Sequence, residues 1–242
     1  MEPISIIVST FNEEDTIVGV LEGLAAHAPG SEILVVHGGR DGTAEAARRW
    51  GKERPEIDLK VIRNFGDVGK GHAIKLGISV ASHPVMLQFD ADLQFSPADI
   101  PAMVEPLSAG EADLVVGSRF MKGVDKSAYR SSFFRDLGNT LLNRWISVLA
   151  GSAFTDVTTG MKAWTAEAVW KIPFRDNRYV YEMEIVVRGA LAGLRIVQIP
   201  VVYASRQGGA SGHGSGLREF WSIARTGFMI GCRALEIRLG IW

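Results

Sequence analysis

Cysteine is almost absent from this 242-residue chain, in which Cys232 stands alone. A single thiol cannot close an internal disulfide or build a cysteine cluster around zinc. A stapled secreted scaffold and a zinc ribbon are therefore excluded, and a reducing compartment fits best. An excess of charge of either sign is missing too. The 26 Lys and Arg against 27 Asp and Glu leave a formal net charge of −1, which removes the overall attraction to nucleic acid that a basic chain carries. Long apolar runs are also lacking. The longest stretch without Asp, Glu, Lys or Arg is Leu76–Phe89, 14 residues broken by His83 and Pro84. A bilayer-spanning helix needs roughly 18–20, so none is expected. Met1-Glu2-Pro3 opens no basic region followed by an apolar core, and no secretory signal is expected either. What remains is 47% hydrophobic residues in a length that suits one large domain or two small ones.

The apolar residues are distributed with a rhythm. Ile4-Ser5-Ile6-Ile7-Val8 is a β-branched run of the kind buried on both faces of a parallel sheet. Asn12 then offers a helix N-cap with Glu13, Glu14 and Asp15 in the first turn, and Ile17, Val20, Leu21, Leu24 and Ala25 follow at helical spacing. The unit recurs, with strands over Ile33–Val36, Leu59–Ile62, Val85–Phe89 and Asp113–Gly117. The intervening helices fall over Thr43–Glu53, Lys70–Ala81 and a segment marked by Ile100, Met103, Val104 and Leu107. Such alternation predicts a three-layer α/β domain with a mostly parallel sheet, whose ligands bind beyond the carboxyl ends of the strands.

From about Ser118 the rhythm changes. A polar loop (Lys122–Ser132), a long helix (Phe133–Ala150), a loop around Asp156–Trp164, a helix from about Tyr181 to Leu191 and a strand over Arg195–Tyr203 are expected. Arg206–Gly216 carries five glycines in eleven residues and reads as a loop. In the final segment, Leu217–Trp242, one helical side collects Leu217, Phe220, Trp221, Ala224, Phe228, Leu235, Leu239 and Trp242. Arg218, Arg225, Arg233 and Glu236 fall opposite. This composition suits a helix lying in a membrane interface, or one packed on the domain or on a partner subunit.

Chemistry concentrates at Asp90-Ala91-Asp92-Leu93-Gln94, directly after the apolar strand. In an extended segment residues i and i+2 point the same way, so Asp90 and Asp92 should project together from the sheet edge. Two close carboxylates repel unless a cation lies between them. A hard divalent ion such as Mg²⁺ or Mn²⁺ takes oxygen ligands and keeps places for water and phosphate.

Together with that motif, Val8-Ser9-Thr10-Phe11-Asn12-Glu13-Glu14, Gly69-Lys70-Gly71-His72-Ala73 and Gly117-Ser118-Arg119 resemble the family 2 glycosyltransferases of GT-A fold. Asp156-Val157-Thr158-Thr159-Gly160-Met161-Lys162-Ala163-Trp164 and Tyr181-Glu182-Met183-Glu184 are similar to the dolichyl-phosphate mannose synthase branch. The resemblance spans roughly Ile4–Ser211, in order. It implies a nucleotide-sugar-binding domain over residues 1–216, followed by the amphipathic helix of 217–242. It also implies transfer of a hexose from GDP-mannose or UDP-glucose to a polyprenyl phosphate, with inversion, at the cytoplasmic face of a membrane. Asp92 and Gln94 would hold the metal, with Asp90 reaching metal or donor. Thr10, Asn12, Glu13, His37 and Lys70 would face the nucleotide sugar. Arg119, Arg130, Arg206 and Ser211 would hold the acceptor phosphate, and Asp156 belongs to the catalytic set with Asp90, Asp92 and Arg119. Lys70, at a helix start, combines an ammonium with backbone donors that suit an anion. Partners would be the nucleotide sugar, the lipid phosphate, a membrane surface reached by the last helix, and a membrane-anchoring subunit or a second copy of the chain, with no nucleic acid.

Two departures from the family pattern stand out. Val36-His37-Gly38-Gly39-Arg40-Asp41-Gly42-Thr43 places His37 where an Asp commonly contacts the nucleoside, and Ser211 is followed by Gly212-His213 rather than by a Lys. Two rival readings follow: a family member acting on a hydroxyl, with Asp156 or Glu182 as general base, and a degenerate nucleotide-sugar-binding subunit. A dinucleotide-dependent dehydrogenase is disfavoured, because no Gly-x-Gly-x-x-Gly follows the first strand. Glu182 and Glu184, two apart on a helix, cannot both face one site, so one should meet solvent or an Arg.

Overall fold

The computed structural model describes residues 1–66, 68–122, 124, 133–204 and 217–241. Its first half alternates as the periodicity demands: β1 (Ser5–Phe11), α1 (Ile17–His27), β2 (Glu32–Gly38), α2 (Thr43–Lys52), β3 (Leu59–Arg63), α3 (Lys70–Val80), β4 (Val85–Asp90), α4 (Ile100–Ser108) and β5 (Leu114–Ser118). The second half contributes α5 (Phe133–Ala150), β6 (Lys162–Thr165), α6 (Ala166–Lys171), α7 (Tyr181–Leu191), β7 (Ile196–Pro200) and α8 (Leu217–Arg238).

The seven strands form one sheet in the order β3-β2-β1-β4-β6-β5-β7. All pairings are parallel except those of β6, which runs antiparallel to both β4 and β5. The sequence reading placed a loop where β6 lies. Four residues led by a lysine carry neither alternation nor an apolar run, and only the gap between β4 and β5 draws them into the sheet. Hydrophobic layers cover both faces. α1, α2 and α4 pack on one side around Ile6, Val8, Leu87 and Phe89, and α3, α5, α7 and α8 pack on the other around Ile7, Met86, Val116 and Trp164.

One local expectation is corrected. Asn12 does not cap α1. It sits in the left-handed region (φ 56) and turns the chain off β1, so the helix begins only at Ile17, whose N–H donates to the Glu13 carbonyl at 2.9 Å. The acidic residues therefore precede the first turn rather than fill it. The C-terminal segment is helical over α8, but its buried face is not the stripe read from the sequence. Ile230, Ala234 and Ile237 pack against α5 and α7, while Trp221, Phe228 and Leu239 stay exposed. The isoleucines enter the core because α5 and α7 offer an apolar seat on that side, a choice no helical wheel contains. No helix among the described residues is long and apolar enough to cross a membrane.

Candidate active site at the carboxyl edge of the sheet

β1, β2 and β4 all end at the same edge, and the residues at and just past their ends are those expected to face the nucleotide sugar. Thr10 and His37 are register partners across β1 and β2; the Thr10 hydroxyl lies 3.1 Å from His37 Nδ1 and both side chains are buried. His37 thus supports Thr10 from beneath the surface. Asn12 Oδ1 accepts from the Arg40 N–H at 3.0 Å. Glu13 receives Thr43 Oγ1 as the partner of its N–H and the Thr16 hydroxyl on its carboxylate. Asp41 accepts from both the N–H and the hydroxyl of Thr43. Burial raises its pKa, but these hydrogen bonds outweigh burial and hold its carboxyl below the usual range.

β4 stops at Asp90, so strand alternation does not carry through to Asp92. Leu93 takes a left-handed conformation (φ 58), uncommon for a branched residue and concentrated at functional turns. Asp92 Oδ1 accepts the Gln94 N–H at 3.2 Å across that turn. The Gln94 amide spans to the far side of the site, its Nε2 donating to the Ala204 carbonyl and its Oε1 accepting from the Tyr203 hydroxyl at 2.8 Å. Among the described residues no three His, Cys, Asp or Glu gather as a ready cation cage.

Asp90 and Lys70 differ most from expectation. The Lys70 ammonium is 2.7 Å from Asp90 Oδ1 and 2.7 Å from Glu182 Oε1. Burial pulls its pKa down, but the two carboxylates outweigh burial and hold it well above the ordinary lysine value. The backbone donors at the start of α3 are also engaged, since Gly71 and His72 donate to the carbonyls of Arg178 and Asn177. The anion site expected at this helix start is therefore already filled by the protein. Gly69 and Gly71 permit the approach, because a Cβ on either would fall 2.5 Å from a backbone oxygen of the 176–177 segment. Glu184 resolves the other way. It is fully buried, accepts the N–H groups of Arg175 and Asp176, and pairs with Arg188 at 3.2 Å. The arginine partner is the correct alternative, and neither glutamate faces solvent.

Asp156 is fully buried and grips Arg119 bidentately, Oδ2 to Nε at 2.6 Å and Oδ1 to an Nη at 2.8 Å, while also accepting the Arg119 N–H. The Arg119 guanidinium lies 5.1 Å from the centre of the Tyr203 ring, which links this pair to Gln94. Arg130, Arg206 and Ser211 lie outside the described residues. The sequence reading missed Lys162 and Tyr203. Lys162 is fully buried, with its ammonium on the Thr159 carbonyl; burial lowers its pKa to about 8 despite the pull of Glu182 and Asp156. A lysine set inside an apolar Met-Lys-Ala-Trp segment was the available signal.

The model of Glycosyl transferase family 2 matches residues 5–165 of the chain. A dolichyl-phosphate hexose transferase of Haloferax volcanii is 27% identical over 208 residues, 86% of this chain and 85% of that protein. An undecaprenyl-phosphate mannosyltransferase of Micrococcus luteus is 27% identical over 244 residues, 97% and 98% of the two chains. Among solved structures, glucosyl-3-phosphoglycerate synthase from Mycobacterium tuberculosis, in complex with Mn²⁺, UDP and phosphoglyceric acid, superposes with a TM-score of 0.73. It is 21% identical, and the match covers 99% of this chain and 79% of that one. At that identity the likeness establishes the shared GT-A fold.

Proposed function

The chain belongs to glycosyl transferase family 2, and on that premise we propose that it moves a hexose from GDP-mannose or UDP-glucose to a polyprenyl phosphate, with inversion at the anomeric carbon. The observation that carries this reading is the state of two carboxylates. A hydroxyl acceptor needs a base to take its proton, but Asp156 is clamped by Arg119 and Glu182 is paired with Lys70. A phosphate monoester needs no such base, its second pKa being about 6. The Haloferax dolichyl-phosphate hexose transferase and the Micrococcus undecaprenyl-phosphate mannosyltransferase support the same acceptor class.

In this reading Thr10, Asn12 and Glu13 receive the nucleotide, and His37 influences it through Thr10. The donor set beside the diphosphate is all oxygen and suits Mg²⁺ or Mn²⁺. Because Lys70 already balances Asp90, Asp92 would hold the ion with Gln94, whose Oε1 keeps a second lone pair beside the one that accepts from Tyr203, leaving its other positions to phosphate and water. When bound, the ion would take up the charge that develops on the leaving nucleoside diphosphate. Arg119, oriented by Asp156, acts with Arg130, Arg206 and Ser211 to hold the acceptor phosphate. One phosphate oxygen then forms the new bond to the anomeric carbon as the bond to the diphosphate breaks, so a single displacement inverts the centre. Positioning and charge compensation supply the rate.

A lipid acceptor calls for a membrane-facing surface. α5 and α8 present Leu141, Trp145 and Phe228 around an apolar cavity of about 370 Å³; Val148 and Trp221 on the same helices and Leu239 just past α8 are exposed as well, as are Arg144, Arg225 and Arg238. Aromatic and aliphatic groups beside arginines suit the interface of an anionic membrane, and the enzyme would attach there peripherally at the cytoplasmic face. The deciding experiment offers the protein a panel of nucleotide sugars with polyprenyl phosphate in vesicles, with Mn²⁺ or with chelator. A lipid-linked monosaccharide that requires the metal and is lost in Asp92→Asn is expected. Transfer to soluble hydroxyl acceptors, with none to the lipid, would overturn the assignment.

A further inference from the structure

We propose that Lys70 is a positioning residue that couples the donor edge of the sheet to α7, fixing the Asp90 carboxylate so that a divalent cation is directed to Asp92 instead of settling on Asp90. The argument begins with how little freedom Asp90 has. One oxygen lies 2.7 Å from the Lys70 ammonium. The other abuts Gly160, where a Cβ would fall 1.8 Å from it. Lys70 in turn is held by Glu182 at 2.7 Å, and the three side chains are 15%, 20% and 8% exposed. A buried ammonium between two carboxylates neutralises one of them outright, and removing it would leave two close anions in a poorly solvated place. Such a pair is what a divalent cation seeks. Lys70 therefore acts as a built-in competitor that keeps the metal off the wrong carboxylate.

The network reaches further. Lys162, on the Thr159 carbonyl, is attracted by both Glu182 and Asp156, and Asp156 carries Arg119. Three lysine or arginine cations and three carboxylates thus alternate from β4 to the acceptor arginine, and their formal charges cancel. This links the orientation of Asp90 to the side of the site assigned to the acceptor.

The inference rests on the proposed donor and metal reading, but its test needs no donor. Mn²⁺ alone is titrated into the full-length protein, wild type, Lys70→Met and Lys70→Arg, by calorimetry and by loss of the free-ion EPR signal, beside thermal unfolding. Lys70→Met should bind Mn²⁺ about tenfold tighter than wild type, because an ion replaces the ammonium, while transfer to the lipid falls; Lys70→Arg should restore wild-type metal affinity and most of the transfer. Destabilisation alone would lower stability without raising metal affinity. Unchanged or weaker Mn²⁺ binding by a folded Lys70→Met overturns the proposal. If that variant does not fold, Lys70→Gln, which keeps a hydrogen-bond donor but removes the charge, decides: Mn²⁺ binding should tighten severalfold, and an unchanged or weaker affinity overturns the proposal. If the wild type binds no nucleotide with Mn²⁺, the transferase reading fails, while a gain of Mn²⁺ binding in Lys70→Met still registers.

Discussion

Replacing Asp156 by Asn separates a positioning carboxylate from a general base. The side chain is 0% exposed and its partner Arg119 13%, and the carboxylate accepts three hydrogen bonds from that one residue, at 2.6, 2.8 and 3.1 Å. Asparagine keeps the shape but turns an NH₂ toward one nitrogen of the guanidinium and leaves the arginine charge unbalanced. Removing one partner of a buried pair costs about 3–5 kcal/mol; the isosteric change places Asp156→Asn near the lower limit, about 3 kcal/mol. For a chain of this size that corresponds to a Tm lowered by roughly 6–12 °C. Urea unfolding followed by circular dichroism measures the loss, and a double-mutant cycle with Arg119→Met isolates the pair. The double variant should be less destabilised than the two singles combined by about 2–3 kcal/mol. Nucleotide binding, which the proposed function assigns to the opposite side of the site, should survive below the new Tm. An Asp156→Asn protein within about 1 kcal/mol of wild type, yet dead in transfer, would refute this reasoning and return Asp156 to the role of base.

Three further outcomes are expected. Glu32, buried against Lys60, Ser5 and Ser82 at the opposite edge of the sheet, has a pKa lowered from 4.5 to about 2, because these partners outweigh the effect of burial. Its contribution, on the order of 3 kcal/mol, is present above pH 4.5 and is lost as pH falls through about 2. Unfolding free energies measured from pH 6 to 2 should therefore drop more steeply in wild type than in Glu32→Gln, and parallel curves would contradict the assignment. Gly160→Ala drives a methyl into Asp90; overpacking there should cost about 1–3 kcal/mol and weaken metal-dependent nucleotide binding, and calorimetry showing neither effect would exclude the tight contact. Val148→Glu with Phe228→Glu should abolish sedimentation with anionic vesicles without lowering Tm, since both side chains are largely exposed. Retained sedimentation would place membrane contact elsewhere.

Much of the molecule was legible before folding. The β-branched runs and the helical spacings between them specify the parallel α/β half, because strand and helix periods are local properties of the backbone. The acidic motif after an apolar strand, with the glycine and arginine motifs around it, marked the carboxyl edge and the family. The helix boundary at Ile17, the short strand β6 and the buried face of α8 were not legible, since each depends on what another segment offers as a neighbour. The site divides in the same way. Residue types and spacing singled out Asp90, Asp92, Lys70, Arg119 and Asp156 as candidate charged groups. Only the tertiary structure decided which charge meets which: Lys70 meets Asp90 and Glu182, and Asp156 meets Arg119. Coulomb interactions depend on distance and burial, and for residues as far apart in the chain as Lys70 and Glu182 both are set only when the sheet and α7 close around them.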